Sequence, residues 1–227
     1  MKRSEINGLI EEAKSLLKRS NIALPPFAYW TPDDWKSKGR ECDEIRDCML
    51  GWDITDFGSG RFGEVGLVVF TVRNGHPAKK EYGAKSYCEK IIILRPGQHC
   101  PTHFHWNKTE DIINRCGGDL VFRIHNSTRD GKLASTEVTV SLDGVKKRFP
   151  AGSEVVLGPG ESMTVPAYLY HEFWAREGHG TLVAGEVSKV NDDHSDNRFL
   201  EAIGRFPKIE EDCPPVHLLC TEYPPVL

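Results

Sequence analysis

Between Gly97 and Gly117 the chain sets His103 and His105 two residues apart and places Glu110 five residues later. On a β-strand, side chains at i and i+2 share a face, so the two imidazoles are expected to point together into a lumen. A carboxylate soon after them can complete one side of a metal site. His171, near the start of an aromatic-rich strand, is available as a fourth ligand from elsewhere in the sheet. Three imidazoles and one carboxylate leave open positions on a six-coordinate ion such as manganese(II) or iron(II). Such an ion serves either as a Lewis acid or as a redox centre. With nine histidines in 227 residues, a His-x-His pair also arises by chance, so the residues around it have to decide.

The elements that must position these groups are short strands. After about residue 50, β-rich runs alternate with turn signals: 63–73 before Asn74-Gly75, 87–95, 119–125 before Asp130-Gly131, 135–141 before Asp143-Gly144, and 145–149. Further runs cover 154–157, 162–165, 169–175 and 181–187. Many short strands at this spacing predict an all-β sandwich or barrel. No helix of 10–15 residues separates them, which argues against a parallel α/β sheet. Ahead of the strands, residues 4–20 predict an amphipathic helix capped by Ser4, with Ile6, Leu9, Ile10, Ala13, Leu16 and Leu17 on one face. Thr31-Pro32-Asp33-Asp34 predicts a second, short helix. Beyond the strands, Asp196–Ile203 is expected to form one or two helical turns, and Pro214, Pro215, Pro224 and Pro225 make the tail an irregular strap. The expected organisation is one domain over 1–227: a helical extension at 1–50, a barrel at 51–190 and a strap at 191–227.

Composition narrows the partners. The 33 acidic and 29 basic side chains leave a net charge of −4, which supplies no global basic field for nucleic acid or an anionic membrane. The longest apolar runs, Ile91–Leu94 and Leu67–Phe70, fall far short of the roughly 20 residues of a membrane span. Lys2 and Arg3 are followed by Glu5, Glu11 and Glu12, a pattern unlike a secretory signal. The seven cysteines include no pair at zinc-knuckle or thioredoxin spacing. They are expected to be mostly buried, reduced thiols of a cytoplasmic protein.

The glycine spacing around the histidines resembles the cupin superfamily. Its first motif runs glycine, five residues, His-x-His, three or four residues, Glu, six residues, glycine, and Gly97, His103, His105, Glu110 and Gly117 match throughout. In the second motif Gly160, Pro166 and His171 match, whereas Tyr168 stands in place of a glycine and Ala175 in place of an asparagine. Tyr168 therefore puts the shape of one turn in question. The resemblance implies a cupin β-barrel with N-terminal helices and metal ligands His103, His105, Glu110 and His171.

Cupins host many activities, so residues outside the motifs must choose among them. The chain is similar to the cupin-type D-lyxose isomerases nearly end to end. The carrying segments are Lys90–Gln98, His103–Arg115, Asn191-Asp192-Asp193 and Asp196–Phe199. That resemblance implies a homodimeric, manganese(II)-dependent isomerase of D-lyxose and D-xylulose, with D-mannose and D-fructose as the hexose pair. Cobalt(II), iron(II) and zinc(II) are the alternative ions.

Aldose–ketose isomerisation moves a proton between C1 and C2 and requires an acid, a base and a group that stabilises an enediolate. Lys108, between His105 and Glu110, is the candidate proton donor or charge partner. Glu110 is the candidate ligand that also moves the proton. Lys90 sits beside the apolar run 91–94, where a lysine is costly unless it faces a polar lumen, so it is a candidate sugar-binding residue. Asp193 and Arg198 are candidates to close over the sugar. Glu186 is a further possible base if its strand points it inward. Trp106, Tyr168, Tyr170, Phe173 and Trp174 cluster around the ligand segments, as either sugar platforms or core. His99, His125, His179, His194 and His217 carry no motif. The alternative functions are an iron-dependent dioxygenase with the same ligand set and a non-catalytic sugar-binding cupin. The latter usually accompanies a basic DNA-reading helix, which the mixed-charge N-terminal helix does not resemble.

Overall fold

Strands dominate the chain from residue 51 onward in the computed structural model, which describes residues 1–226. In order they are β1 (Gly51–Thr55), β2 (Leu67–Asn74), β3 (Tyr87–Leu94), β4 (His99–His105), β5 (Glu110–Gly117), β6 (Leu120–Asn126) and β7 (Val138–Leu142). Then come β8 (Val145–Phe149), β9 (Glu154–Leu157), β10 (Ser162–Val165), β11 (Leu169–Ala175), β12 (Leu182–Lys189) and β13 (Asn197–Phe199). They form an eight-stranded antiparallel sheet, ordered β1-β2-β3-β12-β5-β10-β7-β8, and a five-stranded one, β13-β4-β11-β6-β9.

The inward faces of both sheets share one apolar cluster that includes Ile92, Leu94, Ile112, Leu120, Phe122, Leu157, Met163 and Leu182. Alternation aims the strands: on β5, Glu110, Ile112 and Asn114 are buried, while Asp111 and Arg115 are exposed. β1 is buried on both faces because α1 (Arg3–Arg19) covers the outside of the large sheet. Ile6, Leu9, Ile10, Ala13 and Leu17 pack there against Trp52, Ile54, Val68, Phe70 and Val183. Burying each of the leucine and isoleucine side chains contributes about 1.5–3 kcal/mol, so α1 is held by tertiary packing. Every expected run contains a strand, β4 carries the two histidines, and three further segments, β1, β5 and β13, are strands as well.

Three local expectations resolve in instructive ways. Ser4 does not cap α1, whose N-cap is Lys2 without a side-chain bond. Ser4 lies inside the first turn, and its amide and hydroxyl donate to Asp212 at 2.9 and 2.6 Å. An acid from the tail thus takes the place of a local cap. Thr31 does cap α2 (Pro32–Trp35), in a capping box with Asp34. The helical turns expected at 196–203 are replaced by β13, which pairs with the edge of β4 in register Asn197↔His105 and Phe199↔His103. So short a helix would have been marginal, and the open edge of β4 offers better-satisfied backbone bonds.

Tyr168 keeps the left-handed turn of the glycine that it replaces, at φ +64°. Its amide donates to the His105 carbonyl at 2.9 Å, tying the second motif to the first. Gly117 has no such freedom to change: a Cβ there would stand 2.0 Å from the Thr181 carbonyl oxygen.

Among the described residues, the tail beyond β13 has no helix or extended strand and is pinned to α1 and β1. The buried Arg3 guanidinium meets the carboxylates of Glu211 and Glu222, and isolated bridges join Lys2 to Glu210 and Trp52 to Leu219. All seven cysteines are free thiols, five of them buried. No helix among the described residues is long and apolar enough to cross a membrane.

Candidate active site

His103 and His171 are cross-strand neighbours on β4 and β11, and His105 follows on the same face of β4. The ligand atoms of the three rings all lie within 4.8 Å of one another, and among the described residues this is the histidine, cysteine and carboxylate group suited to a metal ion. Backbone carbonyls orient two of the rings. His103 Nδ1 lies 2.7 Å from the Pro101 oxygen and His171 Nδ1 lies 3.0 Å from the Leu169 oxygen. Each Nδ1 therefore carries the proton, and each Nε2 presents a lone pair.

Glu110 enters from β5 on the opposite sheet. Its Oε1 stands 3.1 Å from His171 Nε2 and 3.4 Å from His105 Nε2. Its Oε2 receives the Lys108 ammonium at 2.7 Å, and the same ammonium donates to Glu186 Oε1 at 2.8 Å and Asn191 Oδ1 at 3.2 Å. Lys90 lies 3.7 Å from both Glu186 and Asp193. Arg205 meets Asp193 at 3.1 Å and also pairs with Asp53. Asp196 accepts hydrogen bonds from the Asn107 and Lys108 amides at 2.8 and 3.1 Å and lies 4.0 Å from His105 Nδ1. Phe57, Phe173 and Phe199 complete the lining of a cavity of about 50 Å³.

The electrostatics divide by charge type. Burial, reinforced by His171 and His105, pushes the His103 imidazole well below its ordinary value, and burial followed by Lys108 lowers His105. Both rings are thus neutral donors near pH 7. Burial would raise Glu110 and Glu186, but the Lys108 ammonium, joined by Lys90 for Glu186, holds both ionised. Burial likewise opposes the Lys108 ammonium, yet Glu110, Glu186 and Asp193 keep it above the usual lysine range. Lys90 is raised against its burial by Asp193 and Glu186. Arg205 and Lys90 hold Asp193 well below the ordinary carboxylate value despite its burial.

A divalent cation fits these residues. Nε2 of His171 and both ring nitrogens of His105 are buried without a hydrogen-bond partner. The Nε2 lone pair of His171 faces a carboxylate oxygen at 3.1 Å; two acceptors at that distance repel unless a cation draws on both. In the surrounding network Lys90, Lys108 and Arg205 oppose Asp53, Glu110, Glu186, Asp193 and Asp196. The excess is two negative charges, the complement of one divalent ion.

The structure brings together His103, His105, Glu110, His171, Lys108, Lys90 and Asp193, as the sequence led one to expect. Glu186 also points inward. Arg198 does not belong to this group. On β13, Asn197 and Phe199 line the cavity, so alternation turns Arg198 outward, where its guanidinium lies over Gly131 beside exposed Trp106 and Tyr168. Of the aromatics, Phe173 lines the cavity, Tyr170 is buried with its hydroxyl donating to the Gly131 carbonyl at 2.7 Å, and Trp174 stacks on His99. Asp53, Asn191, Asp196 and Arg205 were not foreseen, because each reaches the site through long-range pairing. A larger groove between α1 and the large sheet, lined by Leu9, Glu12, Leu16 and Arg95, holds no convergent ligand cluster.

Comparison with known proteins agrees with this geometry. The sequence model of the D-lyxose isomerase family matches residues 1–223. A D-lyxose/D-mannose isomerase of Serratia proteamaculans is 50% identical over 225 residues, covering 98% of each chain. The protein of that name from Escherichia coli O157:H7 is 43% identical over 224 residues, again covering 98% of each. Among solved structures, L-ribose isomerase of Cellulomonas parahominis superposes with a TM-score of 0.61 at 20% identity, covering 92% of this chain and 98% of that one. This last likeness speaks to the cupin-type fold alone. With a family match over almost its whole length, the chain belongs to the D-lyxose isomerase family and is an aldose–ketose isomerase.

Proposed function

We propose that the protein interconverts D-lyxose and D-xylulose, with D-mannose and D-fructose as a second pair, through a cis-enediolate and with a divalent metal ion, manganese(II), as cofactor. The naming of its relatives as D-lyxose/D-mannose isomerases supports the sugars. The observation that carries the chemistry is the buried ammonium of Lys108, which bridges Glu110 and Glu186 beside the three imidazoles.

His103, His105, His171 and Glu110 would hold the ion, which supplies Lewis acidity toward neighbouring sugar oxygens when bound. Glu186, ionised and opposite Lys90 across β12 and β3, takes the proton from one carbon and returns it to the next. Lys108 keeps both carboxylates ionised and offers its ammonium to the oxygen on which negative charge develops. Glu110 is placed to exchange the hydroxyl proton, while Lys90 and Asp193 bind the hydroxyls farther along the sugar. Phe57, Phe173 and Phe199 exclude water from the reacting end. A cavity of about 50 Å³ admits a few waters, so residues 191–206 must give way before a pentose can enter. We further take residues 1–227 as one domain, located in the cytoplasm and paired as a homodimer.

Turnover in heavy water tests the proton route. D-lyxose should give D-xylulose carrying deuterium from solvent at C1. Ketose formed without any deuterium would favour a hydride shift or a shielded proton transfer, and no ketose from either aldose would overturn the proposed substrates.

A further inference from the structure

Asp196 opens one of the segments that carry the family resemblance but does not line the cavity, yet four hydrogen bonds join it to the turn that carries Lys108. Its Oδ1 accepts from the Asn107 amide at 2.8 Å and the Asn107 side-chain nitrogen at 3.0 Å, and its Oδ2 accepts from the Lys108 amide at 3.1 Å. Its own carbonyl accepts from the Trp106 amide at 3.0 Å. One buried carboxylate thus collects successive N–H groups in the manner of an anion nest. The same carboxylate is the one that stands near His105 Nδ1, at 4.0 Å. His103 and His171 have carbonyl partners on that nitrogen and His105 does not.

Asp196 also lies on the segment that covers the cavity. On one side of it, Asn191 meets the Lys108 ammonium and Asp193 meets Lys90 and Arg205. On the other, β13 pairs with β4 opposite His103 and His105. A movement that lifts this segment must withdraw the acceptors of the Asn107 and Lys108 amides.

We propose that Asp196 is a positioning residue that ties closure of residues 191–199 to assembly of the Lys108 turn, so that the ammonium is aimed at Glu110 and Glu186 only when the cavity is covered. The consequence for turnover rests on the isomerase reading above, whereas the positioning itself does not.

The test is amide hydrogen exchange on manganese-loaded wild type, Asp196→Ala and Asp196→Asn, with kcat and KM for D-lyxose measured on the same samples. In Asp196→Ala the Asn107 and Lys108 amides should exchange roughly tenfold faster or more, with amides of the apolar core unchanged. kcat should fall by roughly 10–100-fold with a smaller change in KM. Asp196→Asn keeps one acceptor oxygen and replaces the other with an NH₂ group, so it should fall between the two and serves if the alanine variant does not fold. Unchanged exchange at both amides overturns the proposal, as does faster exchange with kcat intact. If wild type does not turn over D-lyxose, the isomerase reading fails and the exchange pattern alone decides the positioning role.

Discussion

The two walls of the cavity solve the problem of a buried polar site differently. The five-stranded sheet presents His103, His105 and His171, imidazole rings, two of which are oriented by carbonyls of their own strands. The eight-stranded sheet presents Lys90, Glu110 and Glu186, charged groups with few backbone partners that are held mainly by one another and by Lys108, Asp193 and Arg205. A ring oriented by its own strand keeps its place when a neighbour is lost. A charge oriented by other charges does not, because removing one partner leaves an uncompensated ion in a low-dielectric interior. The first wall is thus suited to hold an ion in fixed geometry, and the second to move protons and charge during a reaction.

The largest expected effect comes from the histidine wall. His103→Ala or His171→Ala should lose manganese occupancy and reduce turnover by roughly 10²–10³-fold or more, with the circular dichroism spectrum preserved. A full metal equivalent retained in both variants would break the assignment of that wall. On the charged wall, Lys108→Met and Glu186→Gln should each keep the metal and lower kcat by about 10²-fold. Because the two side chains are paired at 2.8 Å, the double variant should lose far less than the product of the single losses. Strict additivity would mean that they do not act as a unit.

The smallest effect sharpens the contrast by pH. His103 and His105 are depressed from 6.5, so the unfolded chain binds protons that the folded one refuses. The metal-free protein should therefore lose stability as pH falls below about 6.5, at up to roughly 1.4 kcal/mol per pH unit for each ring. Glu110 and Glu186 are lowered from 4.5, and the stability they contribute is complete above that value and lost only as pH falls below it. Urea denaturation at a series of pH values should show a first decline beginning near 6.5 and a steeper one below 4.5. A flat profile between 6.5 and 5 would show that the folded rings take up protons as readily as those of the unfolded chain.

How much of this was legible in the sequence follows from the range of each interaction. His103, His105, Glu110 and His171 sit at set spacings in two short segments, so the ligand group could be read directly. Glu186 could not be oriented, because β12 carries a register irregularity between Val183 and Ala184 in its pairing with β5 that breaks simple counting. In the sequence Arg198, not Arg205, reads as the sugar-facing arginine of the tail. Reading 196–203 as helical hid the alternation that turns Arg198 away, and only the folded tail brings Arg205 to Asp193 and Asp53. The role of Asp196, though it stands in a segment that carries the resemblance, was not legible for a similar reason: its partners lie 88 and 89 residues away, beyond any local pattern. Tyr168 raised a question about its turn that its backbone answers, since the left-handed conformation is kept without glycine.

The most direct measurement is ketose formation from D-lyxose and D-mannose by the purified protein after EDTA treatment and again after manganese(II) is restored. Loss of turnover with the metal and its return on addition, with one ion per chain, is the predicted result. Turnover of either sugar that persists at full rate in the metal-free protein would contradict the role given to the histidine wall.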